Sequence, residues 1–124
     1  MKPRILVIDD DPDVLRVIQG YLGGEGFRVE TAEDGAEGLA KAAAAPPDLI
    51  VLDLLMPGLS GMEVFERLRG DEKTASVPIV VLTGLEDKEF DKTALTLGAD
   101  GYVTKPCEPR QLMDRIHETL KSRA

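Results

Sequence analysis

The stretch Asp48-Leu49-Ile50-Val51-Leu52-Asp53, followed by Leu54-Leu55-Met56-Pro57-Gly58, decides the fold. Four apolar residues, Leu49 to Leu52, run without a polar break and end on a carboxylate. Such a run suits a strand buried on both faces of a parallel sheet. A buried strand has no structural use for an aspartate at its end. Asp53 is therefore expected where the chain leaves the sheet, at its carboxyl edge. In open α/β sheets, ligands bind along that edge. Pro57-Gly58 then turns the chain. Taken alone, Asp53 could equally do no more than cap that turn.

Upstream, Arg4-Ile5-Leu6-Val7-Ile8 is a second buried strand, and it runs into Asp9-Asp10-Asp11. Asp11 can cap a helix whose first turn accepts Pro12. Val14, Leu15, Ile18 and Leu22 share a face of that helix, and Gly23-Gly24 is expected to stop it. Phe27 to Ala32 alternates, as a half-buried edge strand does. Asp34 starts a helix with Ala36, Leu39, Ala40 and Ala43 as its apolar positions, closed by Pro46-Pro47. Downstream of the central stretch, Ser60-Gly61-Met62-Glu63 has capping-box form. Met62, Phe65 and Leu68 give that helix its buried stripe. Pro78 to Thr83 is another buried strand. A helix from about Asp87 to Leu97 and a short strand from Asp100 to Thr104 follow. Pro109 opens a last helix with Leu112, Ile116 and Leu120 on one face.

Five strands alternating with five helices predict an α/β fold, a doubly wound parallel sheet with right-handed crossovers. The 124 residues suffice for one domain with a real core and are too few for two. An apolar content of 43% excludes disorder, and no apolar run approaches the ~20 residues of a membrane span. The basic start, Met1 to Arg4, meets acids directly after Ile8, which is no signal peptide. The single cysteine, Cys107, forms no intramolecular disulfide and no metal-ligand spacing. A cytoplasmic, reduced protein is expected. The net charge of −8 argues against direct nucleic-acid binding, because phosphates would be repelled. It suits a cation site or a partner with a basic patch.

The strand ends carry the chemistry. Asp9 and Asp10 follow the first strand, Asp53 ends the third, Thr83 the fourth, and Lys105 follows the fifth. In a parallel sheet these ends share one edge. Grouped carboxylates repel unless a cation neutralises them or one carries a proton. Oxygen-only ligands select a hard cation such as Mg2+. A carboxylate is a plausible nucleophile towards phosphorus, and Mg2+, an ammonium and a hydroxyl are the groups that stabilise a phosphoryl group in transfer.

On these stretches, together with Met56-Pro57-Gly58 and Gly98-Ala99-Asp100-Gly101-Tyr102-Val103-Thr104-Lys105-Pro106, the chain resembles the receiver domain of two-component response regulators from end to end. The resemblance implies a flavodoxin-like sheet of order 2-1-3-4-5 and one receiver domain over residues 1–124. It implies that Asp53 accepts a phosphoryl group from a phosphohistidine on a histidine kinase or phosphotransfer protein. Asp10 and Asp53 would bind Mg2+ directly with the main-chain oxygen of Leu55, and Asp9 through a water. Thr83 and Lys105 would hold the phosphoryl oxygens. Thr83 and Tyr102 would form the switch that an output protein or effector domain reads, and Lys105-Pro106 would be a cis bond. The resemblance allows a phosphorylation-dependent dimer. It implies a phosphoacceptor with intrinsic autodephosphorylation rather than a turnover enzyme. Leu55 and Leu85, apolar at the flanks of Asp53 and Thr83, would slow that loss.

Two positions depart from the family pattern: Gly84 stands where alanine is usual, and Cys107 where an aromatic is common. Cys107 reads as a small apolar core residue, and His117 as a surface residue rather than a phosphocarrier. A haloacid-dehalogenase-like phosphatase is an alternative, with Asp9 and Asp11 as its acid pair. It leaves Asp53 without a role, finds no acidic pair after Lys105, and lacks a cap domain. A docking receiver that is never phosphorylated is a further alternative, disfavoured by the complete acceptor set.

Overall fold

All five residues of β3 (Leu49–Asp53) are buried, and the strand feeds both halves of the core. Ile50 and Leu52 join one apolar cluster, Leu49 and Val51 the other. The same division runs through β1 (Arg4–Ile8) and β4 (Ile79–Gly84). This is what a side-chain period of two produces in a sheet covered on both faces. β2 (Arg28–Ala32) and β5 (Gly101–Lys105) complete a parallel sheet of order β2-β1-β3-β4-β5, as the resemblance implies. α2 (Gly35–Ala44) and α3 (Gly61–Gly70) close one face through Ala42, Val64, Phe65 and Leu68. α1 (Pro12–Gly24) and α4 (Pro109–Arg123) close the other through Leu15, Ile18, Leu22, Leu112 and Ile116. The computed structural model describes residues 2–54, 56, 58, 60–84, 98–105 and 108–123, with main chain only at 83, 84, 105 and 123. The helix expected from Asp87 to Leu97 lies outside the described residues, which hold four of the five expected helices.

Helix starts follow the capping chemistry. Asp11 accepts from the Asp13 N–H at 2.9 Å, Asp34 from the Glu37 N–H at 2.7 Å, and Ser60 Oγ from the Glu63 N–H at 3.3 Å. One further expectation is met and one needs correction. α1 ends at Gly23-Gly24, as expected, with its cap at Glu25. The reversal falls at Gly26, whose φ of 93° suits glycine. In α2 the buried positions are Gly35, Gly38 and Ala42, whereas Ala36 and Ala40 are exposed. A Cβ on Gly38 would lie 2.5 Å from Ile8 Cδ1, so the helix meets the sheet on a glycine rather than on its larger apolar residues.

His117 is exposed, as expected, with its ring tilted against Phe27 at 5.2 Å. At the far end of α3, Arg69 ties three segments together. Its guanidinium donates to the carbonyls of Ala75 (3.2 Å), Val77 (2.6 Å) and Gly98 (3.1 Å) and to Asp100 Oδ2 (3.0 Å). The same Asp100 oxygen accepts from the Ile79 N–H at 2.8 Å, fixing the start of β4. On the β2 side, Arg28 and Glu30 are exposed, and Arg4 pairs with Glu30.

Candidate functional site

The register aligns the strand ends. Ile8 pairs with Leu52, so Asp9 sits one step past β1, beside Asp53. Asp53 pairs with Leu82, and Thr83 is the next residue of β4. Gly84 pairs with Lys105, which brings Lys105 to the same edge. The four strand ends singled out in the sequence therefore lie along one edge of the sheet.

Asp9, Asp10 and Asp53 converge there, each offering a carboxylate oxygen within 4.8 Å of the others. Asp9 is fully buried and Asp53 is 4% exposed, whereas Asp10 faces solvent. Asp9 is held at both ends. Its N–H donates to the Ala32 carbonyl at 3.1 Å, and its Oδ1 accepts from the Asp11 N–H at 3.0 Å. Asp11 points away into the α1 cap, so the three consecutive acids have separate tasks. Past Asp53, the Leu54 N–H donates to the Leu82 carbonyl at 3.0 Å, and the Leu54 carbonyl accepts from the Gly61 N–H at 3.2 Å. Gly58 has a φ of 73°, a value that suits glycine, and Pro57 lies outside the described residues.

Two unit charges 4.8 Å apart repel by about 3.5 kcal/mol at an effective dielectric of about 20. Burial of Asp9 and Asp53 limits screening by water and salt. A set of three carboxylates on rigid strand ends therefore favours positive charge at this edge. The donor atoms are all oxygens, and one acid is open to solvent, which fits a hard divalent cation that keeps part of its water shell. The buried Asp53 carboxylate, next to that cation position, has the chemistry of a nucleophile towards an anionic phosphoryl group.

Thr83 and Lys105 are placed at the edge by their main chain. Leu55 lies outside the described residues, as do Leu85, Pro106 and Cys107. Tyr102 lies on β5 and is 38% exposed. Among the described residues, no helix is long and apolar enough to cross a membrane. The sequence reading overlooked Gly61 as anything but part of a cap. Its close approach to the main chain of Asp53 and Leu54 has no local signature in the sequence.

The family model described as response regulator receiver domain matches residues 5–117. Among curated relatives, the chain is similar to the alkaline phosphatase synthesis transcriptional regulatory protein PhoP of Bacillus subtilis, with 44% identity over 98% of this chain and 50% of PhoP. It is also similar to the DNA-binding dual master transcriptional regulator RpaA of Synechocystis sp., with 40% identity over 96% of this chain and 49% of RpaA. The chain thus spans about half the length of the curated relatives it matches. Among solved structures, it is similar to the chemotaxis protein CheY4 of Vibrio cholerae, at a TM-score of 0.90 and 31% identity, covering 96% of this chain and 99% of CheY4.

Proposed function

This chain belongs to the response regulator receiver domain family, and from that premise we propose that Asp53 is its phosphoacceptor. Receiver domains of two-component response regulators are signalling domains rather than turnover enzymes. The observation that carries the assignment is the convergence of Asp9, Asp10 and Asp53 within 4.8 Å at the ends of adjacent strands. In the proposed transfer, a partner histidine kinase or phosphotransfer protein presents a phosphohistidine. The N–P bond breaks, an Asp53 carboxylate oxygen forms the new O–P bond, and the protonated imidazole leaves neutral. Asp10, Asp53 and the main-chain oxygen of Leu55 would hold Mg2+, with Asp9 behind them. When bound, the ion draws negative charge from the phosphoryl oxygens. Thr83 and Lys105 would hold those oxygens from the neighbouring strand ends, a role that the register supports.

Residues 1–124 would form one receiver unit. The signal would leave through Thr83 and Tyr102, whose half-open position on β5 gives the ring room to change its packing. An output protein or effector domain would read that change. Return to the resting state would come from intrinsic hydrolysis of the aspartyl phosphate.

Incubation with Mg2+ and acetyl phosphate tests the reading. Intact mass should rise by one phosphoryl group, and neutral hydroxylamine, which cleaves acyl phosphates, should remove it. No mass gain, or a gain resistant to hydroxylamine, would overturn the assignment.

The metal set makes its own prediction. Mg2+ should raise the thermal midpoint, by about 2.7 kcal/mol of added stability at a concentration about 100 times Kd. Asp10→Ala should remove most of that gain in parallel melts. Equal Mg2+ responses in the two proteins would exclude Asp10 as a direct ligand.

A further inference from the structure

Gly61, the first residue of α3, has nothing to do with a special backbone angle. Its role is space. A Cβ built on it would lie 2.3 Å from the Asp53 carbonyl oxygen, 2.3 Å from Leu54 Cα and 2.8 Å from the Leu54 carbonyl carbon. All three obstacles are main-chain atoms, so no rotamer change can relieve them. At Gly38 the obstacle is instead a side chain, that of the buried Ile8, and not main chain. At Gly61 either α3 or the Asp53-Leu54 main chain has to move.

The Asp53-Leu54 segment is gripped from two sides. Leu54 donates to Leu82 of β4 at 3.0 Å and accepts from the Gly61 N–H at 3.2 Å. The β4 bond fixes the segment within the sheet, and the α3 contact fixes its height above the sheet. α3 is itself anchored by Val64, Phe65 and Leu68 in the core, so it makes a firm stop. The carboxylate of Asp53 leaves the chain within this gripped segment.

We propose that Gly61 is a positioning residue of the phosphoacceptor site: its missing side chain lets the start of α3 rest on the Asp53-Leu54 main chain and hold the Asp53 carboxylate in place beside Asp9 and Asp10. This rests on the reading of Asp53 as phosphoacceptor and metal ligand. A displacement of a few tenths of an ångström to an ångström at Asp53 spoils both the ligand set and the line of attack on phosphorus.

Gly61→Ala is the test, read against Ile116→Ala, which opens a cavity on the opposite face of the sheet and also costs stability. Three quantities are measured on each: the thermal midpoint, Mg2+ affinity by calorimetry, and the initial rate of phosphorylation across a range of acetyl phosphate concentrations. Both variants should melt below the parent. Only Gly61→Ala should weaken Mg2+ binding, by at least about tenfold, and lower the limiting rate by at least about tenfold. Unchanged Mg2+ affinity in Gly61→Ala, or an equal loss in Ile116→Ala, would reduce Gly61 to a packing residue and overturn the proposal. If Gly61→Ala does not fold, hydrogen exchange on the parent decides. Mg2+ should slow the Gly61 amide more than the Ile116 amide, and equal slowing would overturn the proposal. A parent that binds Mg2+ but takes no phosphoryl group would sink the function reading alone, while the affinity comparison still tests Gly61.

Discussion

Asp53→Asn should take up no phosphoryl group from acetyl phosphate under conditions that modify the parent fully. Asparagine keeps the shape of aspartate, so the strand end and its packing should survive. It lacks the anionic oxygen, and a neutral amide is a far weaker nucleophile than a carboxylate. The carboxylate cluster also falls from three members to two, and Mg2+ affinity should fall with it. Intact mass after incubation reads the first effect and calorimetry the second. A native far-UV spectrum and a melting point close to that of the parent show that the comparison is between folded proteins. Because Asp10 is exposed and Asp9 is buried nearby, a wrong acceptor assignment has a definite sign. Undiminished phosphorylation of the variant would move the acceptor to one of those two residues.

Arg69→Ala should lower stability by about 2–4 kcal/mol, which in a domain of this size is a fall in melting temperature on the order of 10 °C. The side chain accounts for four hydrogen bonds, which tie α3 to the Ala75–Val77 and Gly98–Asp100 segments. It also lies over the Phe65 ring at 5.4 Å. The Arg69 and Asp100 side chains are 20% and 17% exposed, so water replaces these partners only in part. Removing the cation takes the Arg69 charge away from Asp100, whose Oδ2 still accepts from the Ile79 N–H. Arg69→Lys should recover less than half of the loss, since an ammonium cannot serve carbonyls on both sides of the fork. Thermal or urea melts of the two variants measure this. A loss below about 1 kcal/mol in Arg69→Ala would show that water satisfies the freed groups.

The sheet was legible because its strands are short apolar runs that end on polar residues, and alternation with helices constrains their connection. Register was legible only in outcome: the convergence of Asp9, Asp10 and Asp53 follows from strand ends sharing an edge, without knowledge of individual pairs. What stayed hidden was governed by absence or by distance. Apolar counting gave Ala36 and Ala40 to the buried side of α2, because it scores methyl groups, and the helix in fact docks on Gly38, which has none. Gly61 is invisible for the same reason. The end of α1 was legible in Gly23-Gly24, whereas the chain reversal itself falls at Gly26. Arg69 and Asp100 are 31 residues apart, and nothing in either neighbourhood names the other.

The outer strand β2 has a consequence for how this molecule behaves at high concentration. An uncovered strand offers its unpaired N–H and C=O groups to any other chain, and this is the common route from a folded sheet to a fibre. Here the strand is only five residues long, with Arg28 and Glu30 exposed along it and Arg4 reaching over from β1 to Glu30. A strand arriving from a second copy would have to strip water from charges of both signs before gaining its first hydrogen bond. Sheet extension through this border is therefore opposed. Contacts between copies are steered towards helices, loops or the opposite border, which works against polymerisation under crowding.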